Sequence, residues 1–246
     1  MNAKKLSFLL LILVAVACTN RSTSSEQDEM RHWNNVLQQI NALLLENKAR
    51  QTLDLAKQTL PEILESAEKN GTTDTLIYYA RKIFNACGNN YINTKQYKDG
   101  IDYMDSIGNH PLIREHCPHE LLSFKAGLNQ LYGNNPEAVR LAEDYLQLPV
   151  CTSANDFIRQ AEIISGVYMY SGNNLPKAIQ ILEKAIDVYR KGGNFPNMLR
   201  IMSRLGIYYH LSGEYEKAIA TNQEAIATYN DSIAPGNVVI AYGEQA

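Results

Sequence analysis

The 246-residue sequence lacks the short motifs that announce most catalytic sites. It has no Gly-rich loop ending in Lys-Ser/Thr to cradle phosphates and no His-Glu-x-x-His helix to hold zinc. A Gly-x-Ser-x-Gly elbow to present a nucleophile is absent too. No Lys/Arg run follows residue 5 and the net charge is only −3, so the electrostatic footprint of a nucleic-acid surface is missing. One apolar run of twelve opens the chain at residues 6–17, well short of the roughly 20 residues a helix needs to span a bilayer. Tryptophan occurs once and phenylalanine five times, against fifteen tyrosines. Tyrosine is amphipathic, so this balance suits half-exposed helix seams and a groove better than a sealed interior. Ligand-type side chains cluster once, at His110, His116, Cys117 and His119. Three of them lie within four residues, interrupted by Pro118 and with no second arm, which reads as a solvated linker rather than a metal site. The reading is a non-catalytic chain with no metal and no cofactor.

The most patterned stretch is Met202 to Ile226, two short helices around a tight turn. Leu205, Gly206 and Tyr209 share one face of the first helix, Gly213, Glu214 and Tyr215 make the turn, and Ala218, Asn222 and Ala225 line the inner face of the second. Small residues at Gly206, Ala218 and Ala225 let the backbones approach, while Leu205, Tyr209 and Tyr215 fill the seam. This resembles the tetratricopeptide repeat: Leu-Gly, a Tyr three residues on, Gly-x-Tyr, then two alanines seven apart. Met202 stands where that family has a leading Trp, and Asn230 where it has a closing Pro.

Such a hairpin cannot bury its apolar face alone, so copies are expected beside it. A step of 40 back moves Gly206 to Gly166, Ala218 to Ala178 and Ala225 to Ala185, with one extra residue in the turn that puts Ile164 and Tyr168 in the Leu and Tyr places. Another 40 gives Ala126 and Ala138, a degenerate copy with Lys125 and Asn129 where Leu and Tyr belong. A further 38 lands on Gly100, with Gly88, Tyr91 and Tyr97 in register, and Ile40 to Thr59 keeps only the helix-turn-helix rhythm. A bundle with incidental Gly and Ala crossings would show no fixed period. The resemblance implies an all-α fold over 30–246, a right-handed superhelical solenoid of about five hairpins, the best at 161–190 and 200–230. Val239, Tyr242 and Gly243 repeat the spacing of Met202, Leu205 and Gly206, so a sixth unit starts and the chain is expected to be the front part of a longer protein, or else to end in a cap.

Residues 1–18 read as an export signal: Lys4 and Lys5, the apolar run, then small residues before Cys18. The tract Ala15-Val16-Ala17-Cys18 resembles a bacterial lipoprotein signal, whose Cys is lipidated and becomes the mature N-terminus. Ala15 stands where that family has Leu, so ordinary cleavage and an uncleaved anchor are the alternatives. Residues 19–29, rich in Ser, Thr and charge, read as a flexible tether. Cys87, Cys117 and Cys151 then remain, an odd number that cannot all pair internally. Cys87 reads as a small buried hydrophobe, and Cys117 with Cys151 as a conceivable bridge.

Helical spacing at Trp33, Val36, Leu37, Ile40 and Leu44 predicts a first helix over 26–46, and Ala49–Lys69 a second, kinked or restarted at Pro61. Thr73 or Asp74 is expected to cap the next. The stretch 108–120 is expected to be irregular, and Lys191 to Pro196 to be a linker.

In tetratricopeptide arrays the first helices line a concave face. Transferring that register gives Asn85, Asn89 and Asn93, then Gln130, then Arg159, Glu162 and Tyr170, then Arg200, Ser203, Arg204 and His210. Amides at one end and guanidinium groups at the other suit an extended peptide: amides bond its backbone and arginines hold its carboxylates. The family's carboxylate-gripping subset has a Lys where Asn85 stands. The expected partner is therefore a protein or peptide in the groove, with a membrane reached through the lipid anchor and no nucleic acid. The location is the periplasmic face of a bacterial envelope. Export plus repeats of about 40 residues loosely resembles the extracytoplasmic half of some bacterial sensor kinases and regulators. A self-contained lipoprotein scaffold for envelope assembly or nutrient capture is the second reading, and a metal enzyme or carrier at His116 to His119 the third.

Overall fold

The computed structural model describes residues 27–149, 154–192 and 195–227. Eleven helices and no strand occur among them: α1 (27–45), α2 (Ala49–Asn70), α3 (Asp74–Asn93), α4 (Tyr97–Ile107), α5 (Pro111–His116), α6 (Pro118–Tyr132), α7 (Asn135–Gln147), α8 (Ala154–Tyr170), α9 (Leu175–Gly192), α10 (Phe195–Leu211) and α11 (Tyr215–Ala227). Cys18, residues 19–26 of the expected tether, Cys151 and the start of a sixth unit at Val239 lie outside the described residues, whereas residues 27–29, expected to be tether, belong to α1.

Proline placement explains where many helices begin. Five of the eight prolines, Pro111, Pro118, Pro136, Pro176 and Pro196, stand in the first two positions of a helix, where a missing N–H costs no intrahelical bond. Pro61 departs from this rule: α2 runs through it unbroken. The stretch expected to be irregular after Gly108 instead contains α5, because His110 caps it, its Nδ1 accepting from the Leu112 amide at 3.2 Å. The expected linker from Lys191 also shortens, since α9 continues to Gly192 and α10 starts at Phe195.

The chain divides into two compact units, one ending at Asn90 and the other starting at Tyr91. In the first, Trp33, Val36 and Ile40 of α1 and Leu53, Leu60 and Ile63 of α2 are buried at helical spacing. The Trp33 and Tyr79 rings meet at 5.8 Å, and Ser66 donates to Glu29 at 2.8 Å. Leu44 is exposed, contrary to its place in the expected stripe. Thr73 is the residue that caps α3, accepting from the Leu76 amide at 3.2 Å. Cys87 is fully buried in the same core.

The second unit is a series of hairpins, α6 with α7, α8 with α9 and α10 with α11, each first helix resting on the preceding hairpin. Buried Leu141, Ile158, Ile164, Leu182, Met202 and Leu205 belong to one continuous core through these helices. Ion pairs link successive second helices at the rim, Lys177 with Glu143 at 2.6 Å and Arg190 with Glu224 at 2.7 Å.

One backbone device repeats at every hairpin. An amide in the turn donates five residues back to the end of the first helix: Lys48 to Leu43, Gln96 to Tyr91, Asn134 to Asn129, and Glu214 to Tyr209. The same turn residue then accepts, four residues on, from Thr52, Gly100, Ala138 or Ala218, the small residue that opens the second helix. In the α8–α9 turn Asn174 donates six back, to Tyr168, before Ala178 closes the set. In all five turns the residue before that amide lies in the left-handed region: Asn47, Lys95, Gly133, Asn173 and Gly213. The Ile40–Thr59 rhythm is therefore a copy of the same turn, and Asn129 does occupy a Tyr place.

Candidate partner-binding face

The extra turn residue resets the alignment of α8. Tyr168, not the residue 40 before Tyr209, carries the turn bond, so equivalent positions in α8 and α10 lie 41 apart. Ser165, wholly buried, then matches Gly206, Glu162 matches Ser203, and Arg159 matches Arg200. Gly166 is displaced one position round the helix. A Cβ there would meet only the Gln130 Oε1, at 3.7 Å, whereas one at Gly206 would meet the Asn222 Oδ1 at 2.3 Å. In α6, Ala126 keeps the matching place and Gly127 makes the close approach, where an added Cβ would meet the Ile163 Cγ2 at 2.6 Å.

This register gathers charge. Arg159 and Glu162 are one turn apart on α8, and Arg200 and Arg204 one turn apart on α10. The Glu162 side chain is only 4% exposed, with its Oε2 2.6 Å from the Arg200 Nη2 and 3.6 Å from the Arg159 Nη1. Arg204 donates to the Glu162 backbone carbonyl at 3.3 Å, and the Ser165 hydroxyl donates to that carbonyl at 3.0 Å. A buried carboxylate is tolerable only with cations beside it, and here two guanidinium groups approach it while Arg204 holds the backbone carbonyl of the same residue. The Arg200 approach is off the hydrogen-bonding axis, and the Arg200 Nε is buried with no hydrogen-bond acceptor. The side chains of Arg159 and Arg200 nevertheless stay 35% and 40% exposed, so both face solvent as well as Glu162. Burial holds the Arg159 guanidinium below its ordinary value; Glu162 opposes that shift and repulsion from Arg200 and Arg204 adds to it. Tyr208, almost fully buried beside Arg204, has its phenol pushed up, chiefly by burial.

The other candidates spread out. Ser203 is buried, its hydroxyl donating to the Leu199 carbonyl at 2.9 Å. His210 is exposed, edge-on to Tyr215 at 5.4 Å, and Tyr170 is exposed near the end of α8. Gln130 is half-buried beside Gly166. Asn85, Asn89 and Asn93 follow one face of α3, the first two half-buried and the third exposed. Among the linker histidines, His110 caps α5 and His119 Nε2 lies 2.7 Å from the Pro149 carbonyl.

Two features escaped the sequence. Tyr208 gave no signal, because its neighbour Tyr209 holds the patterned place. An apolar pocket of about 170 Å3 opens between α7, α8 and α9, lined by Tyr145, Leu146, Phe157, Ile181 and Val188. Nothing in a helical stripe says where two seams leave a gap. No helix among the described residues is long and apolar enough to cross a membrane.

Serial hairpins closed by one repeated turn bond define the helical-repeat class. Within that class, residues 161–231 match the tetratricopeptide repeat family. The fold is similar to that of BtubC (BKLC) from P. vanneervenii, with a TM-score of 0.57 at 12% identity over 80% of this chain and 84% of that one. It is also similar to kinesin light chain TPR-like repeats from Podosopora anserina, with a TM-score of 0.50 at 12% identity over 79% and 92%. No curated protein sequence gives a significant match.

Proposed function

We propose that the chain is a non-catalytic tetratricopeptide module that binds a protein or peptide, held at the periplasmic face of a bacterial envelope by a lipid on Cys18. The observation that carries the binding role is the convergence of Arg159, Arg200 and Arg204 on Glu162, from consecutive first helices, with two of the guanidinium groups still open to solvent. Side chains needed only for packing are covered, as Ile164 and Leu205 are. Cations kept half-exposed around a buried charge suit recognition of an external anion. The signal-like residues 1–18 support the envelope address.

Two experiments test this. Affinity capture from an envelope fraction with the full chain as bait is expected to return a partner that is lost when Arg200 and Arg204 are both changed to Glu. A partner retained by that variant overturns the assignment of the face. Cys18→Ala is expected to move the protein from the membrane to the soluble fraction, and unchanged membrane association would exclude the lipid anchor.

A further inference from the structure

The apolar pocket between α7, α8 and α9 exists because one second helix stops early. α7 has 13 residues and α9 has 18, although each begins directly after its turn residue, Asn134 or Asn174. Leu148 precedes Pro149, whose ring disfavours the helical region for the residue before it, and Leu148 is extended with ψ 150°. α7 therefore ends more than one turn short of its neighbour. On α9, Ile181, Lys184 and Val188 share one face, and with Tyr145, Leu146 and Phe157 they enclose about 170 Å3. His119 is fixed at the edge, its Nε2 2.7 Å from the Pro149 carbonyl and its ring edge-on to Tyr145 at 5.7 Å. Lys184 is the one lysine, arginine or carboxylate that lines the pocket. It is exposed and makes no ion pair among the described residues. The next seam shows what is missing. Counted from Ala218 and Ala178, Glu224 holds in α11 the place of Lys184 in α9, and it meets Arg190 at 2.7 Å. The α7 position that would match Arg190 falls beyond Gln147, where α7 ends.

We infer that this pocket binds a small aromatic carboxylic acid, one ring with a carboxylate on a short arm that reaches Lys184. The volume sets the size, since an apolar cavity of about 150 Å3 holds a benzene ring. The walls set the body: Tyr145, Phe157 and His119 present rings to an aromatic guest, and Leu146, Ile181 and Val188 complete an apolar lining. The charge sets the head. A carboxylate at the mouth meets Lys184 without displacing an existing partner, and a cation there would meet its own sign. A free acid suits the site better than a peptide, whose backbone needs partners of its own; the Pro149 carbonyl at the edge is already taken by His119. The site goes beyond the partner-binding reading and shares no residue with the face formed by Arg159, Glu162, Arg200 and Arg204.

The test titrates the full chain with phenylacetate at low salt, read by ligand-observed NMR. Saturable binding is expected, with neutral phenylacetamide about two- to fivefold weaker, because an ion pair at an exposed lysine adds little. Lys184→Gln should lower affinity for the acid by the same factor and leave the amide unchanged, a coupling that a mere change of shape would not give. Val188→Trp, at a half-buried wall position, fills the pocket and should weaken both ligands by roughly tenfold or more. Should that variant fail to fold, Leu146→Trp at an exposed wall position takes its place. Changing Arg200 and Arg204 together to Glu should leave phenylacetate binding as in wild type, so this site and the partner-binding face fail separately. Absence of saturable binding, wild-type affinity in the tryptophan variant, or equal losses of acid and amide in Lys184→Gln overturns the proposal. So does loss of the acid in the double arginine variant, which would place it on the other face. A tripeptide ending in phenylalanine that binds where phenylacetate does not overturns the small-acid assignment.

Discussion

The hairpins α8–α9 and α10–α11 are built to one plan and differ by one residue. Four positions past the small residue that opens the second helix, α9 has Leu182, wholly buried, and α11 has Asn222, 1% exposed. Opposite Asn222 stands Gly206, so close that a methyl group there would overlap the amide; the matching residue of α8 is Ser165. One crossing thus uses an apolar side chain and tolerates a hydroxymethyl on the facing helix. The other seats a polar amide and needs a bare backbone. The longer α8–α9 turn sets the spacing between equivalent positions at 41, which aligns Arg159 and Glu162 with Arg200 and Ser203. The face described above is a consequence of that slip.

The contrast can be broken at several points, the largest effect coming first. Leu182→Ala should cost about 2–5 kcal/mol in chemical denaturation, since it removes a fully buried side chain from the continuous core. A loss below 1 kcal/mol would mean the α8–α9 seam is not packed as described. Gly206→Ala should cost about 1–3 kcal/mol through overpacking against Asn222, and pairing it with Asn222→Ala should relieve most of that loss. Gly166→Ala, 40 residues away and facing only Gln130, should be neutral or stabilise by up to about 1 kcal/mol, because alanine is the better helix former. Equal effects at the two glycines would show that the register had not slipped.

A smaller effect concerns pH. The hydrogen bond from Lys177 holds the Glu143 carboxyl below the usual carboxylate range. A depressed folded value means the pair's contribution is complete above the ordinary carboxylate pKa and is lost as pH falls through the folded one. Both side chains are partly exposed, so the contribution is a few tenths to about 1 kcal/mol. Wild type should exceed Glu143→Gln in stability at pH 7, and the gap should close as pH falls below the ordinary carboxylate range and through the depressed folded value. A gap that persists there would place the effect in packing.

Much of the fold was legible because the repeat is written in small residues and tyrosines: Gly100, Ala138, Ala178 and Ala218 open second helices at nearly constant spacing, and each closes the same turn bond. The weakest copy was legible only as a rhythm, since Leu43, Lys48 and Thr52 make that bond through backbone atoms that many side chains permit. Stepping by a fixed 40 placed Gly166 opposite Gly206, although Ile164 and Tyr168 had already marked the shift. The arginines were found as separate groove residues. Their convergence on Glu162 was invisible, because a partner 38 residues away is set by how helices stack and not by spacing along one helix. Helix α5 was missed for a local reason: a histidine is a rare cap, and Pro111 and Pro118 read as breaks when they are helix starts.

The most direct measurement is a double-mutant cycle on Glu162 and Arg200, using Glu162→Gln, Arg200→Gln and the pair, with stability read by denaturation. Contact across the two first helices predicts a coupling of about 0.5–3 kcal/mol. Strictly additive losses would mean that α8 and α10 do not meet at this register, and the shared arginine face would not exist.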